Sequence, residues 1–209
     1  MSGEFITLRF FEGNDINMEK NTLIIVEGPQ GAGKTTFTNY LREHLASVDL
    51  HRLTGIKDKT ITGLPKVIKR YQREMEYIKT GCSPDAPLML YDRNFFTDEI
   101  YARLGYKEYS FTENYKEFLE QLDNMDLDIY FVVLYLENEE LYRQRLAGRN
   151  KFEYQKFDIT NSINQQNEYL KMADEVEAQT KNIKVIRFAN DTEENFDERI
   201  KELFGDLLK

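Results

Sequence analysis

Apolar and polar positions divide the chain into alternating segments of two periods. Leu23-Ile24-Ile25-Val26 is a short, mostly β-branched apolar run, the pattern of a strand buried on both faces. Phe37, Tyr40, Leu41 and Leu45 then recur at helical spacing. Val48 to Ile56 predicts a second strand running into a loop. Leu64, Val67, Ile68, Tyr71, Met75 and Ile78 predict a helix over about 64–80, ended by Gly81, Pro84 and Pro87. Leu88-Met89-Leu90-Tyr91 is another buried strand, followed by helices from about Thr97 to Leu104 and from about Thr112 to Met125. Ile129 to Leu136 is the most apolar strand, Glu139 to Ala147 is helical, and Gly148 to Phe157 is polar and basic. Ile159, Ile163, Leu170 and Ala173 support a helix ending near Lys181; Lys184 to Phe188 forms a last strand, and Phe196 to Leu207 a closing helix.

Strands alternating with helices predict an α/β fold of three layers, a parallel sheet of about five strands with helices on both faces. Ligands of such sheets bind at the carboxyl ends of the strands. No repeat or linker interrupts the pattern, so residues 1–209 read as one domain. Residues 1–22 stand outside it as an N-terminal extension; Phe5, Ile6, Leu8, Phe10 and Phe11 suit an edge strand, a packing arm or a partner contact.

Between the first strand and first helix lies GPQGAGKTT, with Gly28, four residues, then Gly33-Lys34-Thr35: the spacing of a phosphate-binding P-loop. Glycines permit turns that aim backbone N–H groups at phosphate oxygens, and the helix adds its positive end. Gly28, Pro29, Gln30, Gly31, Ala32, Gly33, Lys34, Thr35 and Thr36 are the expected cradle for ATP. Lys34 is expected to reach the β- and γ-phosphates and Thr35 to bind Mg2+.

Two further features extend the chemistry. Leu88–Tyr91 delivers Asp92 and Arg93 to a strand end, where an acid holds magnesium or accepts a proton and a guanidinium binds phosphate. A turn aspartate and a structural ion pair are their plain alternatives. In residues 141–157, Arg145 and Arg149 lie four apart on a helix while Arg143 projects elsewhere, and Gly148 is a candidate hinge. This predicts a mobile lid bringing charge to the transferring phosphate, against the alternative of a solvated helix. On the helix 64–80, Tyr71, Gln72 and Arg73 suit stacking on, hydrogen bonding to and charge near a nucleotide; Tyr71 suits core packing equally.

A formal charge of -9 disfavours nucleic acid and anionic membrane as partners unless basic residues gather locally. The single cysteine, Cys82, excludes an internal disulfide and fits a cytoplasmic location. Two histidines, His44 and His51, leave little material for metal sites. No apolar run approaches a membrane span.

The P-loop after a strand ending in Glu27, the Asp92-Arg93 pair and the arginine-rich segment together resemble the thymidylate kinase and deoxynucleoside kinase group, phage-type proteins included. The resemblance covers nearly the whole chain from Leu23. In DRNFFTDEIYARL, Thr97 stands where that group carries a serine. The resemblance implies that Arg93 binds the acceptor phosphate, that Arg145 and Arg149 are lid arginines, and that Arg73 or Gln72 contacts the acceptor. It also implies that dimers are common. Two departures bear on the acceptor: nucleoside kinases carry Glu-Arg-Ser where this chain has Asp92-Arg93-Asn94, and LTGIKDKT replaces the Arg-Glu-Pro loop of the thymidylate branch.

The expected activity is transfer of the γ-phosphoryl of ATP, with Mg2+, to a small nucleotide, foremost a pyrimidine deoxynucleoside monophosphate. Alternative acceptors are a deoxynucleoside 5′-hydroxyl and a hydroxymethylpyrimidine within DNA. A nucleotide-binding switch protein with no small-molecule acceptor is the alternative of another class.

Overall fold

A computed structural model describes residues 21–45, 47–54, 58–81, 88–147, 159–192 and 195–207. Its order is β1 (Thr22–Glu27), α1 (Lys34–His44), β2 (Val48–Arg52), α2 (Leu64–Gly81), β3 (Leu88–Asp92), α3 (Phe95–Arg103), α4 (Thr112–Asp123), β4 (Asp128–Tyr135), α5 (Glu139–Ala147), α6 (Ile159–Gln179), β5 (Ile183–Ala189) and α7 (Phe196–Phe204). The five strands form one sheet in the order β2-β3-β1-β4-β5, and every pairing is parallel. This is the expected α/β class and the architecture of P-loop NTPases.

Period-two alternation along β1 sorts its side chains between two cores. Leu23 and Ile25 join Met89, Tyr91, Phe131 and Val133 beneath α2, α3, α4 and α6. Ile24 and Val26 join Leu90, Val132 and Leu134 beneath α1 and α7. Because both faces are covered, β1 is apolar from Leu23 to Val26 before it reaches Glu27.

The topology places a crevice. From β1 the chain goes past β3 to β2, whereas from β3 it goes past β1 to β4. The neighbours β1 and β3 therefore lead in opposite directions, and the gap between their carboxyl ends is the switch point where ligands enter such sheets. Val26 is in register with Asp92, which brings the ends of both strands to that gap.

β2 covers Val48–Arg52, with Leu53 N–H still bonded to Asp92 O of β3, as expected of a strand running into a loop; Ile56 lies outside the described residues. Other boundaries differ from the expected ones. α3 starts at Phe95, two residues before Thr97, because the Asn94 side chain accepts the Phe95 N–H at 2.8 Å and caps the helix. The closing helix ends at Phe204, and Gly205–Leu207 is a 3-10 turn. Residues 1–20, Pro84, Pro87, Gly148 and Arg149 lie outside the described residues.

Candidate nucleotide site

The loop between β1 and α1 is shaped by glycines at two places whose positive φ other residues rarely adopt. Gly28 has φ 141°, and a Cβ there would lie 2.4 Å from Leu134 O, a backbone atom of the neighbouring strand. Gly33, at φ 92°, is the residue before α1, and a Cβ there would meet the Asn190 amide at 2.4 Å. The loop so formed ends on the free N–H groups of the first turn of α1. No acidic residue occupies that turn to compete for an anion.

Lys34 is buried and folds back over the loop. Its Nζ donates to Gly28 O at 2.8 Å and to Pro29 O at 2.7 Å. Thr35 and Thr36 are exposed beside it. The Thr35 hydroxyl donates to Asp92 Oδ2 at 3.1 Å, so the P-loop and the end of β3 meet through these two side chains. Arg52, at the end of β2 and in register with Asp92, brings its Nε to 4.0 Å from the same oxygen.

Arg93 follows Asp92 with φ 77°, in the left-handed region that a residue bearing a Cβ seldom adopts. Such a backbone costs about 1–3 kcal/mol and persists only where its surroundings hold it. Three contacts hold this one. Arg93 N–H donates to Val26 O at 3.0 Å, the Arg93 guanidinium donates to Tyr101 OH at 3.2 Å, and Asn94 N–H donates to Glu27 Oε1 at 2.7 Å. The guanidinium is half-buried. Burial works against its charge, but Tyr101, Tyr169 and Glu27 outweigh this and keep it protonated.

Glu27 is fully buried at the end of β1, beneath this turn. Its Oε2 accepts the Thr97 hydroxyl at 2.6 Å, and the Thr97 and Tyr169 hydroxyls are 2.9 Å apart. Burial lifts its pKa to about 7, against hydrogen bonds from Thr97 and Asn94 and the charges of Arg93 and Lys34, all of which lower it.

Arg145, on α5, reaches the opposite rim of the loop. Its Nη2 donates to Asn190 O at 2.8 Å and its Nη1 to Gly31 O at 3.4 Å, while Asn190 Nδ2 donates to Ala32 O at 2.7 Å. Arg143 is exposed and pairs with Glu140 at 3.5 Å, away from the loop. Thus the P-loop, Asp92, Arg93 and Arg145 gather at the carboxyl end of the sheet.

The residues of α2 separate. Tyr71 is buried among Phe95, Phe111 and Phe118, and its hydroxyl donates to Asp98 Oδ2 at 2.6 Å. Asp98 in turn faces Lys107 Nζ at 3.3 Å. Gln72 and Arg73 lie on the exposed side of α2. Tyr71 is thus a core residue with a polar tip.

Sequence reasoning passed over Glu27, Tyr101, Tyr169, Asn190 and the Asp98–Lys107 pair. Only Glu27 left a trace, as an acid ending a run that is otherwise fully apolar.

Among the described residues no helix is long and apolar enough to cross a membrane. No family model and no curated protein matches the sequence. Among solved structures, the chain resembles the YorR protein of Bacillus subtilis, determined in complex with phosphorylated GDP. The likeness has a TM-score of 0.60 at 16% identity and covers 87% of this chain and 95% of that one, and it is a likeness of fold.

Proposed function

We propose that this protein is a kinase that moves the γ-phosphoryl of ATP to a pyrimidine deoxynucleoside monophosphate. The observation that carries the reading is the meeting of Thr35 and Asp92 at the switch point, directly beside a glycine-shaped loop and Lys34. That YorR was solved with a nucleotide supports a nucleotide as the ligand.

The residues present fit ATP and magnesium. Gly28 lets the loop pack against Leu134 O and lead into the N-terminus of α1, where backbone N–H groups can meet phosphate, and the exposed Thr35 hydroxyl with the Asp92 carboxylate is an oxygen pair of the kind Mg2+ takes. Thr35 and Asp92 would hold the ion, which when bound supplies charge to neutralise the phosphate oxygens. Lys34 exchanges two loop carbonyls for phosphate oxygens and stabilises the charge that develops on the transferring group. Arg145 and Arg149 do the same from the lid, and Arg93 orients the acceptor phosphate. Such an acceptor brings its own nucleophilic oxygen, so positioning and charge do most of the work and no strong base is needed. Gln72 and Arg73 remain candidates for contact with the acceptor, whereas Tyr71 packs in the core and holds Asp98. Residues 1–209 act as one domain in this reading, with 141–157 as its lid.

The test offers magnesium and ATP with dTMP, thymidine and a hydroxymethyluracil-containing oligonucleotide in parallel, with separation of products. Phosphorylated dTMP is expected. Phosphorylation of thymidine or of the oligonucleotide alone would move the acceptor to that class, and phosphorylation of none would overturn the kinase reading for these acceptors.

A further inference from the structure

We propose that Glu27 is a positioning residue that holds the Arg93 turn, and thereby the direction in which Arg93 meets the acceptor phosphate. The inference rests on the kinase reading for the role of Arg93, but its geometric part does not.

Arg93 has no glycine to ease its left-handed backbone, so the turn needs partners on both sides. On one side Arg93 N–H is fixed to β1 through Val26 O. On the other, the next peptide N–H, that of Asn94, ends on Glu27 Oε1 at 2.7 Å. Two successive N–H groups are therefore pinned to two successive residues of β1. The second pin is a side chain, and it is braced in turn. Glu27 Oε2 accepts from Thr97, one turn into α3, and Tyr169 of α6 donates to Thr97.

Glu27, Asn94, Thr97 and Tyr169 are all nearly inaccessible to solvent, so water cannot substitute for a lost partner. The chain thus links strand β1, the Arg93 turn, α3 and α6 through one carboxylate. Burying a carboxylate beneath a phosphate site is unfavourable in isolation. Its placement makes sense if the donors it accepts must be aimed.

Hydrogen-bond acceptance is what the role needs, which gives discriminating variants. Glu27→Leu removes both acceptor oxygens. Thr97→Val removes the brace and leaves Glu27 in place. Glu27→Gln keeps one oxygen for Asn94 N–H, and the Thr97 hydroxyl can rotate to accept from the new amide. Thr97→Ser keeps the hydroxyl.

Steady-state kinetics of the full chain with ATP, magnesium and dTMP, together with crystal structures of each variant, form the test. Glu27→Leu and Thr97→Val are expected to raise the acceptor KM about tenfold or more, because a charge-assisted contact from Arg93 to the acceptor is misaimed, with the ATP KM unchanged. Glu27→Gln and Thr97→Ser should recover most of the loss. Arg93 should leave its left-handed conformation in Glu27→Leu. A purely structural residue would lower the amount of active enzyme and leave the acceptor KM alone. Unchanged acceptor KM in Glu27→Leu and Thr97→Val, or an unmoved Arg93 backbone in Glu27→Leu, overturns the proposal. If the wild type turns over no acceptor, the kinase reading fails, and the Arg93 backbone still decides the geometric claim. Should Glu27→Leu not fold, Thr97→Val carries the same comparison, with the Asn94–Glu27 hydrogen bond as its structural readout: lost or lengthened as expected, unchanged if the proposal is wrong.

Discussion

The Thr35 hydroxyl donates to Asp92 Oδ2 across 3.1 Å, joining the first turn of α1 to the end of β3 over 57 residues of sequence. Thr35 is exposed and Asp92 nearly buried, so the pair opens toward the switch-point crevice. If these oxygens hold magnesium, Thr35→Ala and Asp92→Asn should each lower kcat/KM by about 100-fold. Both should also raise the magnesium concentration needed for half-maximal rate. Thr35→Ser should restore activity because it keeps the hydroxyl. Magnesium titrations of turnover check this, and an unaltered magnesium requirement in both variants would remove Thr35 and Asp92 from the metal site.

Gly28 ties the loop to the sheet in a way that leaves no room for a side chain. A Cβ would meet Leu134 O at 2.4 Å, and φ 141° already disfavours alanine. Gly28→Ala should therefore destabilise the fold by more than ~1 kcal/mol and weaken ATP binding. Chemical denaturation and calorimetry with ATP report the two effects separately.

Glu27 links stability to pH. Burial lifts its pKa to about 7 in the fold from an ordinary value of 4.5, so between these values the folded chain binds more protons than the unfolded one. The contribution of Glu27 is fully present below pH about 4.5 and is lost as pH rises through about 7. Lys34 and Arg93 face the group and lower its pKa, as do the Thr97 and Asn94 hydrogen bonds, so the shift that remains reflects burial. Glu27→Gln should remove this segment of the stability profile, leaving a smaller fall in stability from pH 5 to pH 7 than in the wild type. Urea unfolding of both proteins across that range measures the difference; parallel profiles would contradict it.

Tyr71 separates a core role from direct contact with the acceptor. Tyr71→Phe leaves its packing among Phe95, Phe111 and Phe118 but takes a 2.6 Å hydrogen bond from the buried Asp98. A loss of about 1–3 kcal/mol is expected from that orphaned oxygen. Gln72→Ala and Arg73→Ala lie on the exposed side of α2 and should change stability by no more than about 0.5 kcal/mol. Any rise in acceptor KM in those two variants then reports contact with the substrate.

The fold was legible because both cores demand apolar residues at short intervals. The runs at 23–26, 88–91 and 129–136 could bury themselves only as central strands, and they do. The P-loop and Asp92-Arg93 were legible because their residue types are unusual where they stand, glycines opening a helix and charges ending an apolar strand. The contacts that hold these residues were not. Glu27 meets Thr97 across 70 positions and Thr97 meets Tyr169 across 72, distances over which no periodicity carries information. Asn190 holds Ala32 across 158 for the same reason. Tyr71 was ambiguous because one stripe position serves both a core and a pocket, and its hydroxyl finds Asp98 and Asn94 O only across the fold.

The fate of the γ-phosphate tests the central claim most directly. Wild-type protein incubated with magnesium, γ-labelled ATP and dTMP should place the label on the β-phosphate of dTDP, with little released as inorganic phosphate. Label appearing only as inorganic phosphate, at a rate indifferent to dTMP, would contradict phosphoryl transfer to dTMP and favour a nucleotide-controlled switch.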